Sequence, residues 1–306
     1  MNRWWIYQKE RFPLLAHGPL IAAFSASAVS YSALLRGPDA RPLVASYVVA
    51  FLVSLGSFLL LRIADEFKDA EEDAKFRPYR AVPRGLVKLS ELKRVGIAVG
   101  IGQLILVGVL AWLGHGEGWQ LIGLLAVTWI YFGLMSKEFF AREWLKARPV
   151  VYLFSHMAIM PLVDWFATGC DWVPAGGAMP AGLFWFLAAS FCNGVVIELG
   201  RKIRSPEQEE TGVETYSFLW GRPIAVASWL TAMAATLACG LMAANRIQFS
   251  MPVIVVLGTL WLVALVLGGG FLKTQNGKLA KGIEAASGVW TLALYLMLGV
   301  VPLLVR

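Results

Sequence analysis

Residues 43–85 read LVASYVVAFLVSLGSFLLLRIADEFKDAEEDAKFRPYRAVPRG. Leu43 to Leu61 is an apolar run of the length that crosses a bilayer as a helix. It is followed by the acidic stretch Asp65 to Asp73, which holds six of the chain's 20 acidic residues, and then by a segment rich in arginine and proline. This order predicts a membrane-spanning helix that ends in a charged site at the membrane surface.

Three aspartates of the acidic stretch, Asp65, Asp69 and Asp73, are four residues apart. On a continuous helix they share one face, where three like charges repel one another unless a cation lies between them. Mg²⁺ prefers oxygen ligands and often binds a substrate phosphate at the same time, and arginine offers a forked set of donors to phosphate oxygens. The pattern favours a metal-bridged diphosphate site over the alternative, a solvated acidic loop.

The composition predicts an all-α integral membrane protein, because 58% of the residues are hydrophobic, only 15% are charged and the mean hydropathy is +0.64. Residues 1–12 are basic and aromatic, as in a segment that lies on the membrane surface. We expect one membrane domain over residues 1–306 with nine spans. Their predicted limits are 13–35, 43–63, 95–113, 119–136, 149–168, 181–200, 223–244, 251–272 and 284–304.

The distribution of lysine and arginine predicts the orientation. The N-terminus and the loops after spans 2, 4, 6 and 8 hold 3, 8, 4, 4 and 3 of them, and Arg62 brings this side to 23 of 27. The rule that cytoplasmic loops are positive then places the N-terminus and the acidic stretch in the cytoplasm and the C-terminus outside. We interpret the chain as a multi-pass protein of a bacterial inner membrane. The net charge of +7 lies in short loops and does not indicate a nucleic-acid partner.

A second charged cluster follows span 6 and combines Glu198, Arg201, Lys202 and Glu207. Glu198 ends an apolar run, and ionisable groups at membrane depth usually have a function. Two carboxylate clusters that face each other across an opening would hold cations against a diphosphate from both sides.

The chain resembles the UbiA superfamily of intramembrane prenyltransferases, which have nine transmembrane helices and two Asp-rich motifs after helices 2 and 6. The first motif, Asn-Asp-x-x-Asp-x-x-x-Asp followed by Arg-Pro-x-Arg-Pro-x-x-x-Gly or a close variant, is matched by Asp65-Glu66, Asp69 and Asp73. Five further residues continue the match, Arg77, Pro78, Arg80, Pro83 and Gly85, with Pro83 two residues beyond the position of the motif's second proline. The second motif departs more from the family, although Gly212-x-x-Thr215 resembles its end. Tyr131 and Lys137 resemble a Tyr-x-x-x-Lys element but lie two residues further apart.

The resemblance implies a Mg²⁺-dependent enzyme that moves an isoprenyl group from an isoprenyl diphosphate to an aromatic acceptor or quinone precursor, through an allylic carbocation. It implies metal ligation by Asp65, Asp69, Asp73, Glu198 and Glu207. It implies diphosphate binding by Arg77, Arg80, Arg84, Lys137, Arg201 and Lys202. Two residues are candidate acceptor contacts, Arg62 and His156, although Arg62 is equally suited to pair with a structural acid.

Two other functions remain open from the sequence. A membrane terpene cyclase of the same superfamily would ionise the same diphosphate without using an acceptor, and the altered second motif is compatible with it. A transporter is the more distant alternative, because transporters place ionisable groups near the bilayer midplane whereas these carboxylates lie at its rim.

Overall fold

The computed structural model describes residues 2–114 and 118–306, and its regular structure is helical throughout that part of the chain. Nine helical segments of the described residues are long and apolar enough to cross a membrane, which confirms the predicted all-α architecture. The helices are α1 (Arg3–Arg11), α2 (Leu14–Arg36), α3 (Val44–Lys68), α4 (Ala70–Phe76), α5 (Leu89–Leu113), α6 (Trp119–Ser136), α7 (Arg142–Lys146), α8 (Pro149–Met157), α9 (Ile159–Trp172), α10 (Leu183–Arg201), α11 (Tyr216–Leu219), α12 (Arg222–Arg246), α13 (Ser250–Thr274), α14 (Gly277–Leu298) and α15 (Val300–Leu304).

Two spans begin earlier than their hydropathy predicts. Span 3 begins at Leu89 rather than residue 95, and span 9 begins at Gly277 rather than residue 284. The first two turns of both helices carry lysines or arginines, which lower the local hydropathy. Their long side chains reach water from a helix end, so the helix extends past the apolar run.

Spans 5 and 9 are each built from two helices. Span 5 breaks at Ala158, between α8 and α9, and span 9 breaks at Gly299, between α14 and α15. Neither break follows from the apolar pattern.

The spans form a closed bundle in which consecutive helices pack side by side and α14 returns to α2. Helix α9 contacts α2, α3, α6 and α10, so it lies near the centre of the bundle. Most buried apolar side chains belong to one continuous cluster that runs through these contacts.

Charged and polar groups fix the ends and the interior of this bundle. Arg36 donates two hydrogen bonds, of 2.9 and 2.7 Å, to the buried carboxylate of Asp171 and so joins α2 to α9. Deeper in the bundle, the Tyr295 hydroxyl donates to Asp164 at 2.9 Å and lies 3.1 Å from Ser190. These contacts satisfy groups that would be costly in lipid without a partner.

Candidate active site

The acidic stretch is not one straight helix. Helix α3 ends at Lys68, and Asp69 has backbone angles of φ −94° and ψ 5° before α4 begins at Ala70. Backbone hydrogen bonds still run from Asp69 to Asp65 and from Asp73 to Asp69, at 2.9 and 2.8 Å. The three aspartates therefore keep their one-turn spacing, but Asp73 lies beyond a bend.

Of the three aligned aspartates, Asp65 and Asp69 keep oxygens that are free to bind a cation. The Asp65 side chain is 45% exposed and makes only long ion pairs, 3.9 Å to Arg62 and 3.5 Å to Lys68. Within the described residues the Asp69 carboxylate has neither a hydrogen bond nor an ion pair, and burial raises its pKa. Such a pair of carboxylates fits a divalent cation.

No group of three or more histidine, cysteine, aspartate or glutamate side chains in residues 2–114 and 118–306 is placed to hold a metal by itself. The donor set therefore fits a cation that takes part of its oxygen ligands from a bound phosphate, as Mg²⁺ commonly does.

Asp73 has a different environment from the one its spacing predicts. It is 2% exposed and accepts two hydrogen bonds from Arg80, at 2.9 and 2.7 Å. Arg77 and Arg11 lie 3.4 and 3.8 Å from it. Its oxygens are occupied by guanidinium groups, so these contacts favour Asp73 as the anchor of the arginines rather than as a metal ligand.

Glu66 was not a candidate from the sequence, yet it is the other buried acid of this stretch. Arg11 of α1 donates to its carboxylate, and Arg62 lies 3.5 Å away. Arg62 thus pairs with a structural acid, which is one of its two predicted roles. The contact joins the N-terminal helix α1 to the acidic stretch, and no local pattern indicates it because the partners are 55 residues apart.

The second cluster is centred on Glu198, at the end of α10. Arg201 donates to it at 2.6 Å, and the Lys202 ammonium lies 3.0 Å away. The charges of Asp65 and Glu198 both act on Arg201. The two clusters are therefore close enough for their charges to interact, while their joint binding of a diphosphate stays a prediction.

The loop after the second cluster closes onto the first motif. The Tyr79 hydroxyl donates to Glu210 at 3.1 Å. Gly212 has a φ of +79°, and a Cβ there would lie 2.7 Å from the ring of Phe76. A residue with a side chain would be strained and would clash, so this contact requires glycine. Glu207 is exposed in a short turn and has no hydrogen bond or ion pair among the described residues, so the contacts give its predicted metal ligation no support.

Two other residues that were predicted to bind diphosphate, Arg84 and Lys137, contact neither Glu198 nor the aspartates within the described residues. Arg84 donates to the Tyr79 carbonyl oxygen at 2.7 Å and to Glu10 at 2.8 Å, which holds the loop and α1 together. Lys137 ends α6, is exposed, and makes no side-chain hydrogen bond or ion pair in the described part of the chain. Its predicted role stays a prediction.

His156 lies between the two clusters on α8. Its Nδ1 is 2.9 Å from the Tyr152 carbonyl oxygen, which can only accept, so Nδ1 carries the proton. Its ring stacks on Tyr152, whose hydroxyl accepts from Lys68 at 3.2 Å. The charges of Lys68, Glu198 and Asp65 act on the imidazole, and within the described residues Nε2 has no hydrogen-bond partner. Lys68 and Tyr152 are site residues that the sequence did not single out.

Comparison with known proteins now bears on this geometry. The sequence profile of the UbiA prenyltransferase family matches residues 20–281. The chain is similar to the apo structure of a UbiA homolog from Aeropyrum pernix K1, with 13% identity and a TM-score of 0.67 over 95% of this chain and 98% of that one. It is also similar to a structure of digeranylgeranylglyceryl phosphate synthase, with 13% identity and a TM-score of 0.62 over 98% of this chain and 99% of that one. A search of curated proteins finds no match.

The two structural likenesses show a shared fold, and the family profile spans most of the chain. The chain therefore belongs to the UbiA prenyltransferase family, and it is a prenyltransferase embedded in the membrane.

Proposed function

We propose that this enzyme ionises an isoprenyl diphosphate between its two charged clusters and transfers the prenyl group to an aromatic or quinone-precursor acceptor. The observation that carries the proposal is a pair of carboxylates with open oxygens among lysine and arginine side chains. Asp65 and Asp69 keep open oxygens, Lys68 lies 3.5 Å from Asp65, and the charge of Asp65 also acts on Arg201, which is bound to Glu198.

Mg²⁺ held by Asp65 and Asp69 would neutralise charge on the leaving diphosphate. Arg77 and Arg80, oriented by Asp73, offer further donors to its oxygens, and Arg201 and Lys202 approach from α10.

The allylic carbon–oxygen bond then breaks, and the diphosphate leaves with the electron pair. The acceptor ring attacks the resulting allylic cation and afterwards loses a proton. His156 presents a bare Nε2 at this point, which suits it to accept a hydrogen bond from an acceptor hydroxyl.

The test is a product analysis of reconstituted enzyme given a panel of isoprenyl diphosphates of increasing chain length, with and without aromatic acids and quinols. We expect a prenylated acceptor whose formation stops with EDTA and returns with Mg²⁺. A cyclic hydrocarbon formed without any acceptor would replace the proposal by the cyclase alternative.

The matched variants are Asp69→Asn and Glu71→Gln. Both remove one negative charge from the acidic stretch, but Glu71 is exposed and makes no hydrogen bond or ion pair within the described residues. We expect Asp69→Asn to abolish turnover and Glu71→Gln to keep it, because only Asp69 has the geometry of a metal ligand. Equal activity in the two variants would remove Asp69 from the mechanism.

A further inference from the structure

A second cavity lies where the interfacial helix α1 covers α3 and α5. It measures about 200 Å³, and most of its wall is apolar, with Leu55, Leu59 and Ile63 from α3, Leu92 from α5, and Tyr7 and Phe12 from the N-terminal segment. We call it the α1 groove. None of its lining residues belongs to the charged clusters of the proposed active site.

The end of the α1 groove that faces the loops is charged. Residues three and four apart on a helix share a face, so Leu55 and Leu59 are in line with Arg62 and Glu66 one and two turns further on. Arg11 of α1 reaches the same point and pairs with Glu66. Arg11, Arg62 and Glu66 thus form a charged rim next to the apolar wall of the groove, although none of the three lines the cavity itself.

Three buried donors at this rim have no hydrogen-bond partner among the described residues. They are the Tyr7 hydroxyl, Nη2 of Arg11 and Nε of Arg62. Burial raises the pKa of Tyr7 to about 12, with a further contribution from Glu66, so its hydroxyl stays protonated and remains a donor at neutral pH. Unsatisfied donors that converge on one place indicate an acceptor that the chain itself does not supply.

Two of these three donors belong to guanidinium groups, which bind an anionic acceptor more strongly than a neutral one. Arg11 and Arg62 share the carboxylate of Glu66, and their other ion pairs are long, 3.8 Å from Arg11 to Asp73 and 3.9 Å from Arg62 to Asp65. Asp73 is also bound by Arg80 and Arg77, and Asp65 by Lys68. An occupant with a hydrocarbon chain and an anionic head matches both ends of the groove. Basic pockets between transmembrane helices commonly hold anionic lipid headgroups.

We propose that the α1 groove is a binding site for one anionic phospholipid, with an acyl chain along Leu55 and Leu59 and its phosphate at Tyr7, Arg11 and Arg62. The lipid fixes α1 against the membrane side of the acidic stretch. The bound lipid takes no part in the proposed reaction, so the two proposals are tested independently.

The experiment uses the full chain in nanodiscs that contain equal amounts of phosphatidylglycerol and phosphatidylcholine, followed by native mass spectrometry of the lipids retained. Wild type is expected to keep one phosphatidylglycerol. Leu59→Trp fills the groove and should lower its retention at least about fivefold, and Tyr7→Phe, which removes one donor without changing the shape, should lower it about fivefold. Leu104→Trp adds the same side chain at an exposed position of α5 outside the groove and should retain lipid like wild type.

Equal retention of the two lipids by wild type would overturn the proposal, and so would unchanged retention in both Leu59→Trp and Tyr7→Phe. An isoprenyl diphosphate that displaces the phosphatidylglycerol would assign the groove to the substrate instead. Thermal unfolding of each variant in detergent without lipid separates loss of the site from loss of the fold, and Tyr7→Phe supplies a readout even where Leu59→Trp does not fold.

Discussion

Replacing Asp73 by asparagine tests whether this carboxylate anchors arginine side chains rather than binding metal. The Asp73 carboxylate is 2% exposed and is shared by Arg80, Arg77 and Arg11. Removing its charge leaves three guanidinium groups without their common partner, and breaking a buried ion pair costs about 3–5 kcal/mol. The Arg77 and Arg80 side chains are 14% and 22% exposed, so water compensates part of this loss and the lower end applies. At about 2 °C per kcal/mol for a chain of this size, Tm should fall by about 6 °C.

The assay is thermal unfolding of the purified protein in detergent, measured beside a Mg²⁺ titration of turnover. Asp69→Asn is the matched comparison, because Asp69 has no side-chain partner within the described residues and its ionised form is disfavoured by burial. We expect Asp69→Asn to keep the wild-type Tm and lose turnover, whereas Asp73→Asn should lose stability and bind diphosphate more weakly. A wild-type Tm in Asp73→Asn, or an equal loss of Tm in Asp69→Asn, would refute this division of roles.

Three further predictions follow from the described contacts. Burial raises the pKa of Asp69, so its carboxylate should bind a proton at a higher pH than an ordinary aspartate. The Mg²⁺ concentration for half-maximal turnover should therefore rise as the pH falls through that pKa. The stability that protonated Asp69 contributes should be lost as the pH rises through it. Gly212→Ala should lower Tm and turnover, because its Cβ would clash with the ring of Phe76. Adding Phe76→Leu should restore part of both. No recovery in the double variant would show that the loss comes from the backbone conformation of residue 212 rather than from the clash. Asp171→Asn should lower the free energy of unfolding by about 3–5 kcal/mol through the loss of the Arg36 pair, while the Mg²⁺ dependence of turnover stays as in wild type. A changed Mg²⁺ dependence would contradict the structural role.

The sequence predicts the spans well because crossing a membrane requires a minimum length and a high hydropathy of each of them. It predicts the site only as far as spacing determines contact. Asp65 and Asp69 lie on consecutive turns as the spacing requires, whereas the bend at Asp69 places Asp73 among arginines. The bend lies in the backbone angles of Asp69, which no residue pattern in the stretch specifies.

The contacts that the sequence could not predict join residues far apart in the chain. Arg11 reaches Glu66 because α1 packs against the end of α3, and Tyr79 reaches Glu210 because the loops after α4 and α10 meet. Each of these residues looks ordinary in its local segment. Their partners become known only when the helices are packed.

The break in span 5 divides that span into two parts that are held differently. Beyond Ala158, α9 is fixed by the Asp171–Arg36 pair and by the hydrogen bond between Asp164 and Tyr295. On the site side, α8 is joined to α3 through the hydroxyl of Tyr152 and carries His156. We therefore expect α8 to adjust more readily than α9 to a bound head group. Span 5 thus combines a fixed support and an adjustable wall of the site within one crossing of the membrane.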